Sequence, residues 1–209
     1  MAQPQSENHN GMRPATPSAD TALLLIDVIN DLAFDGGEDL LVQARPMAQA
    51  IAALKERAHA ANIPVIYVND NFGHWRSDFQ TVVEYCVRPG VPGRETTAML
   101  RPGEDDYFVI KPRHSAFYQT SLDLLLKYLH VRKLILTGMA ADMCVLFTAN
   151  DAYLREFEII VPADCCAAES EPYRRQSLDL IERVLKADIS PSTALDLARI
   201  AEHQRLQGA

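Results

Sequence analysis

Hydrophobic runs alternate with helical patterns along most of the chain. The first run, residues 22–27, is almost continuously apolar, as a strand buried on both faces should be. Similar short runs predict further strands at 63–68, 107–110, 133–137, 158–161 and 187–189. Between them, apolar residues recur at helical spacing and predict helices at about 40–61, 122–129, 143–155, 171–185 and 192–206. This order is typical of parallel strands joined by helical crossovers.

The alternation predicts an α/β fold with a Rossmann-like open, mostly parallel sheet that helices flank on both faces. Residues 21–209 are expected to form this domain. Residues 1–20 are rich in Pro, Ser, Asn and Gln and lack the apolar centre of a signal peptide, so we expect a flexible N-terminal tail. The irregular stretch at 72–106 contains several prolines and is expected to cover a functional site or to form short helices of its own.

The composition is that of an ordinary globular domain, with 48% hydrophobic and 23% charged residues. A net charge of −8 argues against a nucleic acid or an anionic membrane as partner. No apolar run approaches the roughly 18 residues that span a bilayer. The four cysteines show neither metal-finger nor CxxC spacing, and so few thiols predict a reducing, cytoplasmic setting rather than a disulfide scaffold.

Three chemically reactive side chains stand at the ends of predicted strands. Asp27 ends the first strand, Lys111 ends the third, and Cys144 opens the helix after the fourth. Open α/β sheets bind ligands at the carboxyl ends of their strands, and this chain has no glycine-rich nucleotide-binding loop. A thiol can act as a nucleophile, a carboxylate can accept its proton, and an ammonium can stabilise the resulting anions.

Each of these residues also has a purely structural explanation. Asp27 could cap a turn, Lys111 could reach solvent from a strand end, and Cys144 could be a small buried hydrophobe. For Cys144 the local sequence favours reactivity. Asp142 is a good N-cap residue, which would place Cys144 in the first helical turn, where free N–H groups and the helix dipole favour a thiolate. The negative charge of Asp142 partly opposes this effect.

Small residues precede the cysteine, with Gly138, Ala140 and Ala141 in the segment that leads into the helix. They would let a ligand approach the backbone, whose N–H groups could then hold an oxyanion. Tight packing of the helix on the sheet explains the same small residues equally well.

A longer pattern connects the three reactive residues. It consists of Leu24-Leu-Ile-Asp27 with Asn30-Asp31, Lys111 with Ser115-Ala116-Phe117 and Thr120, Gly138-Met-Ala-Ala-Asp-Met-Cys144-Val145, and Thr148-Ala149-Asn150-Asp151-Ala152 leading to the Asp164 turn. In this order the segments resemble the isochorismatase-like cysteine hydrolases, a family that includes nicotinamidases and N-carbamoylsarcosine amidases. The resemblance covers about residues 21–189.

The resemblance implies that Asp27, Lys111 and Cys144 form a catalytic triad. It implies an oxyanion hole made by the backbone N–H groups of Ala140 and Cys144, and a cis peptide bond between Met139 and Ala140. The implied reaction is hydrolysis of a C–N bond in a small amide or ureide through a thioester. Asp27 would move the proton, and Lys111 would keep Asp27 and the thiolate charged. No metal or other cofactor is expected.

The sequence also departs from the family pattern. Ile29 stands where a Gln is frequent, and Ala141 replaces a frequent Thr. Metal-dependent nicotinamidases carry an Asp-x-His after the second strand, whereas here the histidine that follows Asp70 is displaced to His74. A metal-assisted nicotinamidase, an isochorismatase-type ether hydrolase and a non-catalytic scaffold member therefore remain alternatives. Ether cleavage in this family needs no nucleophilic cysteine, so Cys144 favours amide-type hydrolysis.

The same segments predict a substrate pocket rich in aromatic side chains. The expected substrate-binding residues are Phe34, Trp75, Arg76, His114, Phe117 and Tyr118. Aromatic walls would suit a small planar molecule, and Arg76 could pair with a carboxylate on it. The aromatic residues could equally close the core or a subunit interface. The resemblance further implies a homodimer or homotetramer, for which 72–106 is the candidate contact.

Overall fold

The computed structural model describes residues 19–70 and 78–201, which form a parallel sheet with helices on both faces. The strands are β1 Thr21–Ile26, β2 Val65–Asp70, β3 Tyr107–Lys111, β4 Lys133–Met139, β5 Glu158–Ile160 and β6 Cys166–Ala167. The helices are α1 Gly37–Ala60, α2 Phe79–Cys86, α3 Arg94–Met99, α4 Leu122–Tyr128, α5 Leu146–Leu154, α6 Glu171–Leu185 and α7 Leu197–Ala201. A π-helical turn, Ala141–Val145, directly precedes α5.

All strand pairs of the sheet are parallel, in the spatial order β3-β2-β1-β4-β5, with β6 paired to the end of β4. The central strand β1 is buried along its whole length. Its side chains alternate between two hydrophobic cores, one against α1 and the other against α4, α5 and α6. A strand covered on both faces needs apolar residues at nearly every position, which explains its uninterrupted apolar run. The predicted fold class is confirmed.

Local sequence explains where the helices begin. Helix α1 begins directly after Gly36, whose φ of 88° lies in the left-handed region that glycine adopts without strain. Ser170 caps α6, because its hydroxyl accepts a hydrogen bond from the N–H of Tyr173, and a proline stands in the first turn. None of the helices within the described ranges is long and apolar enough to cross a membrane.

The C-terminal third differs in detail from the prediction. The expected strand at 187–189 is only one isolated bridge between Ile160 and Asp188. Strand β6 was not predicted, because two residues are too few to show a periodic pattern. The last predicted helix, 192–206, begins as a separate turn at Ser192–Ala194, and its remaining described part is the short α7.

The irregular stretch at 72–106 is described from residue 78 onwards, and this part holds the short helices α2 and α3. Asp78 caps α2 with its carboxylate, which accepts the N–H of Thr81 at 2.8 Å. The stretch therefore has short helices of its own, as expected, while its role as a cover or subunit contact stays a prediction. The predicted flexible tail lies outside the described residues except for Ala19 and Asp20.

Candidate active site

The carboxyl edge of the sheet brings three reactive side chains together. Asp27 follows β1 directly, Lys111 is the last residue of β3, and Cys144 lies in the π-helical turn after β4. Strand β2 separates β3 from β1, so a side chain must cross one strand to reach Asp27 from β3. The long aliphatic stem of Lys111 spans this gap.

The ammonium of Lys111 has three N–H donors and three acceptors around it. Its Nζ lies 2.8 Å from Oδ2 of Asp27, 3.1 Å from the carbonyl oxygen of Arg113 and 3.5 Å from Sγ of Cys144. The side chain of Lys111 is 1% exposed and that of Asp27 is 8% exposed. A buried cation therefore contacts both a carboxylate and a thiol.

The Asp27 carboxylate accepts hydrogen bonds from several directions. Its Oδ1 accepts the backbone N–H of Asp70 at 2.8 Å, and the carboxylate also forms a hydrogen bond with the thiol of Cys144. Burial raises the pKa of the Asp27 carboxyl above its ordinary value, against the opposing charge of Lys111. A carboxylate with a raised pKa is a better proton acceptor than an exposed one.

The thiol is protonated at neutral pH. Burial raises the pKa of the Cys144 thiol to about 12, and the charge of Asp27 adds to this, while Lys111 acts in the opposite direction. Burial also opposes the charge of Lys111, but Asp27 and Cys144 raise the pKa of the ammonium above its ordinary value. Burial, which is the largest influence on the pKa of this thiol, therefore acts against the free N–H groups of the helix start, which favour a thiolate.

The segment before the cysteine forms a wide turn. The peptide bond between Met139 and Ala140 is cis, as the resemblance implies. The carbonyl oxygen of Ala140 accepts the N–H of Val145, five residues on, at 3.2 Å, which is the π-helical pattern. Ala140 occupies the N-cap position, so Asp142 lies inside the turn and is not the cap that the sequence predicts.

Gly138 lets β4 approach the end of β1 closely. Its φ of 118° suits glycine, and a Cβ atom at this position would lie 2.0 Å from the carbonyl oxygen of Ile26. The backbone before the cysteine can therefore lie directly beside the residue that precedes Asp27. Ala141 is fully buried in the core, so packing accounts for this small residue.

Other residues of the family pattern tie the loop after β3 to α5. The hydroxyl of Ser115 donates a hydrogen bond to the carboxylate of Asp151, and the backbone N–H of Ala116 donates to Oγ1 of Thr148 at 3.0 Å. Thr148 in turn donates to the carbonyl oxygen of Cys144 at 2.7 Å. The loop after β3 and the turn that carries the cysteine are thus one hydrogen-bonded unit.

Sequence reasoning missed Asn69, which is fully buried in β2. Its side-chain amide accepts the N–H of Ile29 at 3.2 Å and donates to the carbonyl oxygen of Ile29 at 2.7 Å. Asn69 therefore satisfies the backbone of the loop that directly follows Asp27. The available signal was a polar side chain at the end of an otherwise apolar strand.

The structure brings His114, one of the expected substrate-binding residues, to the thiol. Its Nδ1 lies 3.8 Å from Sγ of Cys144, and its ring lies against Phe147 with a centroid distance of 5.5 Å. Phe147, which is half exposed, was not among the expected residues although it follows the cysteine by three positions. Phe34 and Tyr118 are half exposed in the loops after β1 and β3.

Phe117, another of the expected substrate-binding residues, is buried in the core. It is 4% exposed, and its ring contacts Phe157 at a centroid distance of 5.9 Å and the guanidinium of Arg155 at 4.7 Å. These partners follow the C-terminal end of α5, whereas Cys144 lies before its N-terminal end. The loop after β3 thus turns the ring of Phe117 into the core, and its contact with a substrate stays a prediction.

Trp75 and Arg76 lie outside the described residues, as does His74. The places of Trp75 in an aromatic wall and of Arg76 beside a substrate carboxylate therefore stay predictions. Whether His74 could bind a metal is not tested either. In the parts of the chain that the structure describes, no group of three or more His, Cys, Asp or Glu side chains is placed to hold a metal ion.

The chain is similar to several known proteins. A family model described as the isochorismatase domain matches residues 21–189. The uncharacterized isochorismatase family protein YaaI of Bacillus subtilis is 43% identical over 172 residues, which cover 82% of this chain and 94% of the relative. Ureidoacrylate amidohydrolase RutB of Methylorubrum extorquens is 31% identical over 187 residues, which cover 73% of this chain and 71% of the relative. The crystal structure of N-carbamoylsarcosine amidase from Thermoplasma acidophilum superposes with a TM-score of 0.65 at 29% identity, covering 84% of this chain and 98% of that one.

Proposed function

The chain belongs to the isochorismatase family, and we propose that it is a cysteine hydrolase that cleaves a C–N bond in a small amide or ureide. One observation carries the proposal. The buried ammonium of Lys111 contacts the carboxylate of Asp27 at 2.8 Å and the sulfur of Cys144 at 3.5 Å. Packing alone does not require a nucleophile, a base and a cation in mutual contact.

In the first step, Asp27 accepts the thiol proton while the sulfur attacks the carbonyl carbon of the substrate. Because burial raises the pKa of the Cys144 thiol to about 12, the attack depends on a base that removes this proton as the C–S bond forms. The raised pKa of the Asp27 carboxyl suits that role. Lys111 remains charged and stabilises the negative charge on either neighbour.

The oxyanion of the tetrahedral intermediate would be held by the backbone N–H groups of Ala140 and Cys144, near the start of a helix where the first N–H groups have no intrahelical partner. When the intermediate collapses, the C–N bond breaks and Asp27 gives its proton to the leaving amine or ammonia. The acyl group stays on the sulfur as a thioester. Asp27, again a carboxylate, takes a proton from the water that hydrolyses the thioester and returns it to the sulfur, so that the sum is the addition of one water molecule across the C–N bond.

The relatives support the amide or ureide class. Ureidoacrylate amidohydrolase, at 31% identity, and N-carbamoylsarcosine amidase, at 29% identity, are both named as enzymes that hydrolyse amide-type bonds. Cleavage of an enol ether would leave the thiol without a chemical role. The contact of Cys144 with the Asp27–Lys111 pair therefore favours amide-type hydrolysis.

Ammonia release from a substrate panel tests this function. The panel contains ureidoacrylate, N-carbamoylsarcosine, nicotinamide and simple aliphatic amides. Cys144→Ala should lower the rate about a thousandfold or more, because the covalent step is lost. Cys86→Ala is the matched control, since Cys86 is a fully buried thiol in the core beside α1, and it should keep the activity.

Two results would count against the proposal. Release that persists in Cys144→Ala would exclude the cysteine as nucleophile. Wild-type protein that releases no ammonia from any of the compounds, and forms no covalent adduct detectable by mass spectrometry, would favour ether hydrolysis or a non-catalytic scaffold.

A further inference from the structure

Strand β2 holds the backbone on both sides of Asp27. On the amino side, the N–H of Asp27 donates a hydrogen bond to the carbonyl oxygen of Val68 at 2.9 Å. On the carboxyl side, the side-chain amide of Asn69 accepts the N–H of Ile29 at 3.2 Å and donates to the carbonyl oxygen of the same residue at 2.7 Å. The proposed base therefore stands between two points at which neighbouring residues of one strand hold the chain.

Asp27 has a backbone conformation that needs such support. Its φ of 53° lies in the left-handed region, which residues other than glycine adopt at a cost. The chain leaves the sheet at this turn, since the ladder between β1 and β2 ends with the pair of Ile26 and Val68. A disfavoured conformation persists only where the surrounding structure holds it, and relaxation of the turn would also move the carboxylate.

The amide of Asn69 matches what the backbone of Ile29 requires. Ile29 is fully buried, so its N–H and its carbonyl oxygen both need partners inside the protein. An amide donates and accepts, whereas an ionised carboxylate only accepts and an aliphatic side chain does neither. Asn69 is itself fully buried, so its effect on the chemistry passes through the backbone that it holds.

We propose that Asn69 is a positioning residue for Asp27. By holding the backbone of Ile29, it fixes the left-handed turn and keeps the Asp27 carboxylate at the thiol. The proposal rests on the cysteine mechanism above, in which Asp27 moves the proton in each step. The carboxylate forms hydrogen bonds with Lys111, at 2.8 Å, and with the thiol of Cys144. Proton transfer requires such contact, so a small displacement of the base is costly.

A positioning role and a general structural role predict different measurements. If Asn69 acts through Asp27, its removal slows the chemical step and leaves KM nearly unchanged. Its removal should also have little effect once Asp27 can no longer act as a base, because residues that serve one function are not additive. If Asn69 only stabilises the fold, the loss of activity follows the unfolded fraction and is the same in both backgrounds.

The first measurement is the burst of p-nitrophenolate from p-nitrophenyl acetate, which reports acylation of Cys144 without a known natural substrate. In Asn69→Ala the maximal burst rate should fall by about 10- to 100-fold per folded molecule, and the ester concentration at half-maximal rate should stay within about threefold of wild type. Adding Asn69→Ala to Asp27→Asn should slow the burst by no more than about twofold further. Asn69→Ser is the second variant, to be used in the same way if Asn69→Ala does not fold.

Alkylation by iodoacetamide gives a second readout, which should change in the opposite direction. The charge of Asp27 helps to raise the pKa of the Cys144 thiol, so a carboxylate that turns away should let Asn69→Ala react at Cys144 about two- to fivefold faster at neutral pH. Cys86, a fully buried thiol of the core beside α1, reports unfolding in the same sample. Peptide mass spectrometry should therefore find faster alkylation at Cys144 and no change at Cys86.

Thr137→Val is the matched control. Thr137 is fully buried in β4, and its hydroxyl donates a hydrogen bond to the carbonyl oxygen of Leu24 in β1 at 2.8 Å. The variant removes a buried side-chain hydrogen bond to the strand that precedes Asp27 and leaves the turn after it unchanged. It should lower the urea midpoint, as Asn69→Ala does, and keep the burst rate within about twofold of wild type.

The outcomes separate this proposal from the cysteine mechanism. An unchanged burst in Asn69→Ala, equal slowing with and without Asp27→Asn, or the same slowing in Thr137→Val would overturn the role of Asn69 alone. Alkylation at Cys144 that does not become faster would do the same. A burst that persists in Cys144→Ala, or wild-type protein that releases no p-nitrophenolate, would overturn the cysteine mechanism and the role of Asn69 with it.

Discussion

Two lysine–aspartate pairs stand at the two ends of β3 and look alike in isolation. At the carboxyl end, Nζ of Lys111 lies 2.8 Å from Oδ2 of Asp27. At the amino end, Nζ of Lys55 lies 2.7 Å from Oδ2 of Asp106, the residue that precedes the strand. The carboxylates are 8% and 1% exposed, so both pairs are buried ion pairs of nearly the same length.

The partners of the two ammonium groups differ. Lys55 also donates to the hydroxyl of Tyr67 at 2.8 Å and to the carbonyl oxygen of Arg101 at 3.0 Å, and none of these acceptors is a nucleophile held beside a base. Lys111 instead contacts the sulfur of Cys144. A buried ion pair by itself is therefore weak evidence of catalysis, and the third group in contact with the cation is what distinguishes the pairs.

Replacing the lysine of each pair should give the largest difference between the two pairs. Lys111→Met leaves the buried Asp27 carboxylate without its cation and should lower the free energy of unfolding by about 3 to 5 kcal/mol. It should also abolish the burst of p-nitrophenolate that acylation of Cys144 by p-nitrophenyl acetate would release. Lys55→Met should cost about 1 to 3 kcal/mol and keep the burst, because Asp106 retains the N–H of Gly103. Urea unfolding measures the stability of both variants, and burst kinetics measures their rate of acylation. Equal loss of the burst in both variants would show that the two lysine–aspartate pairs do not differ in function.

Neutralising each carboxylate should have the next largest effect. Asp27→Asn cannot accept the thiol proton, so acylation should slow by about 10²- to 10⁴-fold. The same variant should react with iodoacetamide about tenfold faster at neutral pH, because the charge that helps raise the pKa of Cys144 is gone while Lys111 remains.

Asp106→Asn is the matched control for both rates. It should change neither the acylation rate nor the alkylation rate per folded molecule, because Asp106 lies at the opposite end of β3 from the lysine that contacts the thiol. Slower alkylation in Asp27→Asn would contradict the opposing roles assigned to Asp27 and Lys111. Peptide mass spectrometry identifies which cysteine has reacted.

The smallest expected effect is on stability in alkali and concerns the thiol of Cys144. The unfolded chain loses the thiol proton near the ordinary pKa of 9.0, whereas the folded chain keeps it up to a pKa of about 12. The stability that this difference contributes is complete below the lower value and is lost as the pH rises towards the upper one. Wild type should therefore lose about 1 to 2 kcal/mol more than Cys144→Ser between about pH 9 and pH 10.5 in urea unfolding. Parallel losses in both proteins would show that the thiol does not titrate as described.

The strands were predictable wherever burial on both faces leaves room only for apolar residues. The expected 22–27 and 133–137 correspond closely to β1 and β4. The expected 63–68 is displaced by two residues from β2, because the end of a strand depends on its pairing partners, here β1 and β3, more than on its own side chains.

The meeting of Asp27, Lys111 and Cys144 could be inferred because parallel strands end at one edge of a sheet. Their catalytic roles stay predictions. The raised pKa of the Cys144 thiol could not be inferred, since it depends on the burial that the complete packing produces. The inward orientation of Phe117 was equally inaccessible, because the direction of a loop side chain is set by distant partners.

The sequence gives no indication of the Lys55–Asp106 pair at the amino end of β3. Lys55 lies on the long helix α1 and Asp106 in a loop, and nothing in the local sequence of either residue indicates the other. Only the packing of α1 against the sheet brings them into contact.

The close approach at Gly138 limits how this sequence can vary over evolution. Any side chain there would overlap the carbonyl oxygen of Ile26, so position 138 cannot change by single steps while β1 and β4 keep their pairing. The next residues of the turn have no positive φ that would require a glycine, and these include Ala140, Ala141 and Met143. New substrate preferences in this turn would therefore have to arise after residue 138, on a backbone path that the glycine keeps constant.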